Sequence, residues 1–361
     1  MEHYIVDLKD RSYPILIGSG ILTAAAETAL NSCGGTPCRV CVAGDSHVRT
    51  LYSQRLEAAL KETGFSVVSF SFEPGECSKC LPVLEQLCSF LLQNQFGRHD
   101  MLIALGGGVT GDLVGFAAAV YMRGIPYIQI PTSLIAQIDS SVGGKTAVDF
   151  GGVKNILGAF HQPAAVVADV SLLETLSSRV LQDGLGEMVK YAFLKGGSFY
   201  DRTMSMERPE DFYTQAQALV SECVLYKKGV VERDEKEQGE RMLLNLGHTL
   251  GHCIESYHHY LRYTHGEAVA VGMAEMLRYA VQYHGADPAF AKDGIALLRR
   301  LKLPTVPDTD RTLLYERVLH DKKGNGKELR IVVPFAPGDV RILRIEKTLF
   351  LEQVNQLQQD W

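Results

Sequence analysis

The first half of the chain alternates short β-rich runs with helical stretches, and this alternation constrains the fold more than any other feature. The runs RVCVAG, FSVVSFSF and DMLIALGGG are separated by helical patterns over residues 48–62 and 79–95, and YIQIPT and AAVVADV continue the series. Apolar runs this short and continuous are typical of strands buried on both faces of a parallel sheet. The first half is therefore predicted to be an α/β domain.

The second half changes to helical spacing from about residue 171. Apolar positions recur at helical intervals over residues 179–194, 211–233, 242–257, 266–283 and 288–301, while ELRIVVPF and DVRILRI predict a pair of strands. A chain of 361 residues exceeds the size at which one hydrophobic core stops growing. We predict two domains, an α/β domain over residues 1–172 and a mainly α-helical domain over residues 173–361.

The charge balance excludes some classes of partner. A net charge of −6 argues against nucleic acid or an anionic membrane, so we expect a small-molecule ligand. The N-terminal sequence lacks the apolar core of a signal peptide, and Arg123 and Pro126 interrupt the longest apolar run. The CxxC pair Cys38 and Cys41 lies at the start of a predicted strand, where alternate positions point to opposite faces. We expect a cytoplasmic protein in which this pair binds no metal.

The segment GGGVTGD, residues 106–112, follows one of the apolar runs and precedes a helical pattern. Glycines in a strand-turn-helix context let the backbone approach a pyrophosphate at the helix N-terminus. The same sequence is also compatible with a tight turn that binds no ligand. The usual fingerprint lies in the first strand-helix unit with an acidic residue about 20 positions later. Here the acidic candidate, Asp45, lies upstream.

Two further glycine-rich stretches, DSSVGGKTAVDF and GGVKNILGAFHQP, carry polar side chains on segments that we expect to be loops. They contain Asp139, Lys145, Lys154 and Asn155. Lysines on such loops can bind phosphate as point charges, but exposed loop lysines are also commonly solvated. The sequence leaves both interpretations open.

The helical half contains candidates for a metal site. His248 and His252 have the spacing that places two side chains on one helix face, which suits metal ligands and an ordinary helix surface equally. Glu187, His248 and His265 would form a carboxylate and two-histidine set, a common complement for a catalytic zinc. The HExxH protease pattern fails at Thr249, where it requires glutamate. Lys190, Lys227 and Arg241 lie near these residues in the sequence.

At this point the chain resembles the 3-dehydroquinate synthase family. The motifs GGGVTGD, DSSVGGKTAVD, KNILGAF, GLGEMVKYAF, LLNLGHTLGHCIE, HGEAVAVGM and DKKGNGKELRIVVP occur in that family's order. The resemblance implies an N-terminal Rossmann-like domain that binds NAD, a helical C-terminal domain that holds Zn²⁺ or Co²⁺, and a homodimer. The familiar PTT sequence is PTS here, and His47 stands where the family often has asparagine.

The resemblance also implies roles for individual residues. Glu187, His248 and His265 would be the metal ligands, whereas His252 would face the substrate. The positions that would contact NAD are Asp45, Glu76, Lys79, Gly107, Gly108, Val109, Thr110, Gly111, Thr132, Ser133, Lys145, Lys154, Leu172 and Thr175.

The substrate implied by the resemblance is 3-deoxy-D-arabino-heptulosonate 7-phosphate, which a carbon-oxygen lyase of this family converts to 3-dehydroquinate with loss of phosphate. NAD would oxidise the C5 hydroxyl and later return the hydride, and ring opening and an aldol step would follow. The residues expected to bind the phosphate are Lys145, Asn155, Lys323 (in preference to Lys322) and Arg123, which could come from the other subunit. The carboxylate is expected to bind Lys227 and Arg241. The expected catalytic residues are Asp139, Lys190, Asn245 and His252.

Three alternatives remain open at this stage. A related sugar-phosphate cyclase would act on a different seven-carbon phosphate. A carboxylate-bearing substrate is favoured by the joint retention of Arg241, Lys227, Lys190, Asn245 and His252. A metal-dependent polyol dehydrogenase would release NADH stoichiometrically and would not need a carboxylate clamp. A catalytically silent binding protein would be expected to lack a metal ligand or a nucleotide-binding glycine, and the sequence retains all of them.

Overall fold

The computed structural model describes residues 1–320 and 327–358. The chain divides into two compact units. The first contains residues 1–176 together with residues 227–232, and the second contains residues 177–226 and 233–361. The division near residue 176 falls close to the change in sequence pattern, but the grouping of residues 227–232 with the first unit was not anticipated.

The first unit is an α/β structure built on a seven-stranded sheet. Its strands and helices are β1 (Glu2–Val6), β2 (Tyr13–Gly18), α1 (Ala24–Ser32), β3 (Arg39–Asp45), α2 (Ser46–Glu62), β4 (Ser66–Phe72), α3 (Leu81–Gln93), β5 (Met101–Gly106), α4 (Gly108–Val120), β6 (Tyr127–Pro131), β7 (Lys145–Phe150), β8 (Val153–Phe160) and β9 (Ala165–Asp169).

The sheet order is β1-β2-β9-β6-β5-β3-β4, and every pairing except β1 with β2 is parallel. From β3 onward this is a doubly wound order in which the chain reverses direction between β3 and β5. Ligands of such sheets bind outside the carboxyl ends of the strands at that reversal. The order explains why the acidic residue precedes the glycine loop, because β3 ends at Asp45 beside the end of β5 at Gly106.

Helices cover both faces of this sheet, as the continuous apolar runs predicted. One core joins α1 and α2 to the face that carries Val40 and Val42 of β3. The other joins α3 and α4 to the opposite face, which carries Cys41 and Ala43. Cys38 packs against the first core and Cys41 lies in the second, so the CxxC pair does point to opposite faces.

The two glycine-rich stretches together form a β-hairpin over residues 145–160, and the prediction of loops there was wrong. Strands β7 and β8 pair antiparallel, with Lys145 opposite Phe160 and a shift of register between Val148 and Phe150. The turn consists of two glycines, Gly151 and Gly152, both with positive φ. Glycine adopts this conformation without steric cost, so the composition that suggested a loop belongs to the turn of a hairpin.

The second unit is mainly helical and has one two-stranded sheet in its described part. Its elements are α5 (Ser178–Lys195), α6 (Gly197–Met204), α7 (Ala216–Arg233), α8 (His248–Tyr257), α9 (His265–His284), α10 (Pro288–Arg300), α11 (Arg311–Tyr315), β10 (Glu328–Ala336), β11 (Asp339–Glu346) and α12 (Lys347–Asn355). The predicted strand pair is the antiparallel hairpin β10–β11. Among the described residues, no helix combines the length and apolar content that a membrane span requires.

The single helix predicted over residues 242–257 does not exist. A 3₁₀ segment, Glu240–Asn245, ends before Gly247, which has a φ of 79°, and α8 begins at His248. A left-handed residue breaks the regular helical path. Arg241 and His248 therefore belong to separate elements, and spacing along one helix cannot place them on a common face.

Candidate functional site

The glycine loop joins the end of β5 to the first turn of α4. Gly107 is the residue preceding that helix, so the unpaired N–H groups of its first turn face the carboxyl edge of the sheet. A Cβ on Gly107 would lie 3.3 Å from Ser133 Oγ, and one on Gly108 would lie 3.3 Å from Ser140 Oγ. A Cβ on Gly111 would lie 2.6 Å from Gln129 Oε1, so this glycine lets α4 pack closely on β6.

Neighbouring strand ends place other predicted residues at the same edge. Asp45 closes β3, and its carboxylate accepts the N–H of Val48 at 2.9 Å, which caps α2. The N–H of Thr132, just beyond β6, donates to the carbonyl of Gly106 at 3.0 Å. Val109 and Thr110 form the first turn of α4. The loop, Asp45 and Thr132 thus share the edge at which an α/β sheet binds its ligand.

A buried ion pair supports one side of the glycine loop. Lys79 is 5% exposed, and its Nζ lies 2.5 Å from Asp112 Oδ2 in the first turns of α4. Burial opposes the positive charge of Lys79, but Asp112 and Glu76 raise its pKa above the usual value. Glu76 also faces Lys154, with Oε1 and Nζ 3.5 Å apart. This network connects the EPGECSK segment with the helix that follows the loop.

The β7–β8 hairpin is joined to that network through its backbone. The N–H of Asp149 donates to the carbonyl of Lys79 at 2.8 Å, and the Asp149 carboxylate accepts the N–H of Asn155 at 2.8 Å. Asn155 has a φ of 55°, a conformation that asparagine tolerates better than most residues. Lys154 is half-buried here, whereas Lys145 at the start of β7 is exposed.

Leu172 and Thr175 lie on a 3₁₀ segment that follows β9. The hydroxyl of Tyr52, on α2, donates to the Leu172 carbonyl at 3.0 Å and lies 2.5 Å from Thr175 Oγ1. These contacts hold the segment against α2, the helix that Asp45 caps.

Asp139 and Lys227, assigned to different tasks from the sequence, are paired with each other. Lys227 Nζ lies 2.5 Å from Asp139 Oδ1 and donates to the Asp139 carbonyl at 2.6 Å. Asp139 belongs to a short π-helical turn, Ala136–Ser140, and Lys227 lies on α7. Lys227 is 6% exposed, so burial and the paired carboxylate hold its ammonium group in place.

Arg123 lies away from the glycine loop. Arg123 is exposed and lies beyond the C-terminal end of α4, a helix of 13 residues, hence about 20 Å from the loop at its N-terminus. Lys322 and Lys323 lie outside the described residues. The prediction that Arg123 acts from another subunit is compatible with this separation and stays a prediction.

Glu187, His248 and His265 converge in the second unit. Their potential ligand atoms lie within 4.8 Å of one another. Glu187 Oε1 is 3.6 Å from Nε2 of His248 and 3.5 Å from Nε2 of His265, and the Glu187 side chain is fully buried. One carboxylate oxygen and two imidazole nitrogens are the donor set that catalytic zinc accepts with a position left open. The residues therefore fit the divalent metal predicted from the sequence.

Close helix packing explains how three distant positions meet, because each ligand stands next to a glycine. A Cβ on Gly186 would lie 2.6 Å from the Gly266 carbonyl oxygen, so α5 and α9 touch through their backbones beside Glu187 and His265. A Cβ on Gly247, before His248, would lie 2.7 Å from the Val269 carbonyl oxygen of α9. Helix axes can approach this closely only where Cβ atoms are missing, so the glycines bring the three ligands together.

One face of α5 fixes the start of α9 as well. Arg179 makes two hydrogen bonds to the carboxylate of Glu267, at 2.9 and 2.8 Å, and Glu267 forms a capping box with Thr264. Asp183 accepts the N–H of Gly266 at 2.6 Å. Arg179, Asp183 and Glu187 are four residues apart, so they lie along one side of the helix.

The two histidines have different electrostatic surroundings. Burial lowers the pKa of His248 to about 3, so its ring is neutral at physiological pH, the form that binds a metal. Burial also disfavours charge on His265, but hydrogen bonds to Glu187 and Glu255 raise its pKa above the usual value. The carboxylates around His265 therefore stabilise positive charge at this point, and Lys190 partly offsets them through its ion pair with Glu187.

Arg241 and Asn245 are held by the segment that precedes them. Arg241 is 1% exposed; its backbone N–H donates to Asp234 at 3.0 Å and its guanidinium donates to the Glu235 carbonyl. Asn245 Nδ2 donates to Glu237 Oε1 at 2.8 Å. Arg241 is therefore not a solvated surface residue.

His252 lies one turn beyond His248 on α8 and is exposed, unlike His248. Its ring centroid is 5.3 Å from that of His248 and 6.2 Å from that of His265. His252, Glu255 and His265 form a second group whose potential ligand atoms lie within 4.8 Å. The structure therefore places His252 beside the Glu187 trio but outside it.

Sequence reasoning overlooked three residues of these clusters. Asp112 is the last letter of the quoted GGGVTGD motif and pairs with Lys79. Ser140 faces Gly108, and among the described residues its buried Oγ has no hydrogen-bond partner. Glu255 lies 3.5 Å from His265. Asp112 could have been found from its position in the motif, whereas the other two depend on tertiary contacts.

Comparison with known proteins decides the family. The model described as "3-dehydroquinate synthase N-terminal" matches residues 69–183, and "3-dehydroquinate synthase C-terminal" matches residues 184–324. A protein named 3-dehydroquinate synthase from Clostridium kluyveri is 40% identical over 347 residues, 96% of each chain. The chain belongs to the 3-dehydroquinate synthase family. The resemblance stated from the motifs is confirmed.

Solved structures agree with membership of the 3-dehydroquinate synthase family. A 2-epi-5-epi-valiolone synthase from Streptomyces hygroscopicus, solved with NAD⁺ and Zn²⁺ bound, is 25% identical with a TM-score of 0.83, covering 96% of this chain and 97% of that chain. A 2-deoxy-scyllo-inosose synthase, at 23% identity and a TM-score of 0.86, covers 99% of this chain and 100% of that chain and shows the same fold. The predicted fold class is confirmed.

Proposed function

We propose that the protein is a 3-dehydroquinate synthase that converts 3-deoxy-D-arabino-heptulosonate 7-phosphate to 3-dehydroquinate and phosphate, with NAD and Zn²⁺ or Co²⁺. The observation that carries the proposal is the convergence of Glu187, His248 and His265 in a chain that also has a glycine loop at the reversal point of its sheet. Within the family this pairing of a metal site and a dinucleotide site serves one reaction. The proposed reaction class is a phosphate-eliminating carbon-oxygen lyase.

The first unit would bind NAD, mainly through an NAD-binding domain that we place at residues 1–172. The N-terminus of α4 supplies N–H donors for the pyrophosphate, and Gly107 and Gly108 leave room for it. The Asp45 carboxylate, beside that loop, suits a ribose hydroxyl. The supporting residues proposed around them are Glu76, Lys79, Val109, Thr110, Gly111, Thr132, Ser133, Lys145, Lys154, Leu172 and Thr175.

The second unit would hold the metal through Glu187, His248 and His265. When bound, the divalent ion supplies Lewis acidity at a substrate oxygen and NAD supplies a reversible hydride acceptor. Lys190 orients the Glu187 carboxylate through their buried ion pair. His252, exposed beside His248, is the proposed proton carrier, because the unperturbed pKa of histidine lies near neutrality.

The remaining polar residues would bind the substrate. Arg241 and Lys227 suit its carboxylate, since arginine can grip a carboxylate through two parallel hydrogen bonds. Lys227 would then exchange part of its contact with Asp139 for the substrate. Asp139, Lys190 and Asn245 suit the ring hydroxyls, and the proposed phosphate-binding residues are Arg123, Lys145, Asn155 and Lys323.

We further propose a cytoplasmic homodimer. No disulfide joins any of the eight cysteines, which suits a reducing compartment. In such a dimer Arg123, about 20 Å from the glycine loop along α4, would contact the phosphate of a substrate bound by the partner subunit. Sedimentation analysis of the wild type tests the dimer. Activity recovered when Arg123→Ala is mixed with an inactive variant tests whether Arg123 acts in the other subunit.

The decisive experiment measures product formed per NAD supplied. The purified protein is incubated with the heptulosonate phosphate, zinc and substoichiometric NAD while phosphate release and absorbance at the NADH band are followed. Because the hydride removed early is returned later, turnovers should greatly exceed the NAD supplied, without NADH accumulation. NADH formed in step with product would instead support the polyol dehydrogenase. A preference for a seven-carbon phosphate without a carboxylate would support a different cyclase.

A further inference from the structure

The imidazole of His265 stands between two carboxylates. Its Nε2 lies 3.5 Å from Glu187 Oε1, and its Nδ1 lies 3.5 Å from Glu255 Oε1. Glu255 is on α8, two turns after His248, and is 3% exposed. Burying a carboxylate is costly unless it is paired, so its position against His265 calls for a role.

The other histidine of the trio has a matching arrangement. His248 also directs Nε2 toward Glu187 Oε1, at 3.6 Å, while its Nδ1 lies 3.1 Å from the carbonyl oxygen of Leu246. An imidazole that donates a proton from one nitrogen presents a lone pair on the other, and the acceptor fixes both tautomer and ring orientation. His248 has a backbone acceptor, whereas the corresponding acceptor for His265 is a charged side chain.

We propose that Glu255 is a positioning residue for the metal site: it accepts the Nδ1–H of His265 and so holds the Nε2 lone pair toward Glu187. This inference rests on the metal site of the proposed function and goes beyond it, since Glu255 would itself not contact the ion. An ionised acceptor also increases the basicity of the ring, which strengthens the bond from Nε2 to a divalent cation.

Glu255 could instead bind a metal ion directly, because His252, Glu255 and His265 form a second group of potential metal ligands. One imidazole nitrogen cannot both donate a proton to Glu255 and bind an ion, so the two uses of His265 Nδ1 are mutually exclusive. The Glu187 trio is also the more enclosed group, since Glu187 and His248 are buried whereas His252 is exposed. Metal stoichiometry separates the two uses.

The test compares zinc affinity of the metal-stripped wild type, Glu255→Ala and Glu255→Gln by competition with a chromogenic chelator, in the absence of substrate. We expect zinc to bind about 10- to 100-fold more weakly to Glu255→Ala, the usual effect of removing such a partner. Glu255→Gln keeps an oxygen acceptor and the side-chain volume, so its loss should be smaller. The visible spectrum of the Co²⁺ protein should change in Glu255→Ala, because the His265 ring is no longer held.

Glu267→Gln provides a matched control. Glu267 is on α9, two residues from His265, but it pairs with Arg179 and caps the helix. Its replacement should lower thermal stability while leaving zinc affinity and the Co²⁺ spectrum close to those of the wild type. A merely structural role for Glu255 would give the same pattern as this control.

Zinc affinity of Glu255→Ala within twofold of the wild type would overturn the inference. Two ions per wild-type chain, falling to one in Glu255→Ala, would overturn it in favour of direct ligation. The measurements need no turnover, so they fail independently of the proposed reaction. If Glu255→Ala binds zinc more weakly but the wild type does not convert the heptulosonate phosphate, the proposed function is refuted. The inference about Glu255 would still stand.

Discussion

The glycine loop of the first unit and the metal cluster of the second are built in opposite ways. The loop offers backbone N–H groups at the end of one strand, and most of its residues are glycines, which have no side chain. The cluster uses three side chains from α5, α8 and α9, and glycine serves there only to bring the helices together. Substitutions that add a side chain should therefore damage the glycine loop. Substitutions that change the chemical groups of existing side chains should damage the metal cluster.

The largest expected effect tests the side-chain site. Glu187→Gln keeps the shape of the side chain but removes the charge that a divalent ion needs. Zinc should be lost and turnover should fall by about 10³-fold or more, since the metal contributes several kcal/mol of transition-state stabilisation. Metal analysis of the dialysed protein and phosphate release measure the two effects.

His252→Ala is the control for this prediction. It should lose turnover while retaining one zinc ion, because His252 lies outside the Glu187 trio. If His252→Ala lost the metal and Glu187→Gln kept it, the ligand assignment would be reversed.

The second prediction concerns Arg241, whose side chain acts by charge and geometry. If it binds the substrate carboxylate, Arg241→Ala leaves that charge underpaired at a cost of about 2–5 kcal/mol, roughly 30-fold to several thousand-fold in kcat/KM. Arg241→Lys should recover only part of the loss, because lysine keeps the charge without the two-pronged geometry. A substrate analogue without the carboxylate should respond little to either change.

The structure corrects one expectation for this variant. The role implied by the resemblance places Arg241 at the substrate alone, and on that basis its removal should leave thermal stability unchanged. In fact it is buried and donates to the Glu235 carbonyl, so Arg241→Ala should also lower the free energy of unfolding by about 1–3 kcal/mol. A normal kcat/KM would refute the carboxylate clamp.

The third prediction tests the backbone site by adding one methyl group. Gly111→Ala would place Cβ 2.6 Å from Oε1 of the buried Gln129, so the glutamine side chain or α4 must shift. Overpacking of this kind costs about 1–3 kcal/mol of stability, and NAD affinity should fall because the loop moves with the helix. Thermal unfolding and NAD titration measure the two effects.

Gly97→Ala is the matched control for that methyl group. Its Cβ would meet Asp100 Oδ2 at 3.7 Å, an ordinary contact, so stability and NAD affinity should stay near wild type. Equal losses in the two variants would show that the close approach of α4 and β6 is unimportant.

The same contrast explains what the sequence could predict. The glycine loop was found because strand, turn and helix are local in sequence, and its departure from the usual fingerprint was resolved by the strand order. The spacing of His248 and His252 did not indicate the Glu187 trio, because the histidine that joins His248 there is His265 on α9. The break at Gly247 and the contact of Glu255 with His265 both depend on close packing against α9, which no local pattern records.

The smallest expected effect separates two roles of Asp45, the one charged side chain assigned to the ribose at the backbone site. Its carboxylate caps α2 through the N–H of Val48, so Asp45→Ala should cost about 1 kcal/mol of stability. Asparagine caps equally well, so Asp45→Asn should unfold like the wild type. If the carboxylate also binds the ribose, both variants should bind NAD roughly 10-fold or more weakly, because hydrogen bonds to a charged group are worth about 1.5–3 kcal/mol. Normal NAD affinity in Asp45→Asn would mean that Asp45 only caps the helix and that its carboxylate does not bind the ribose.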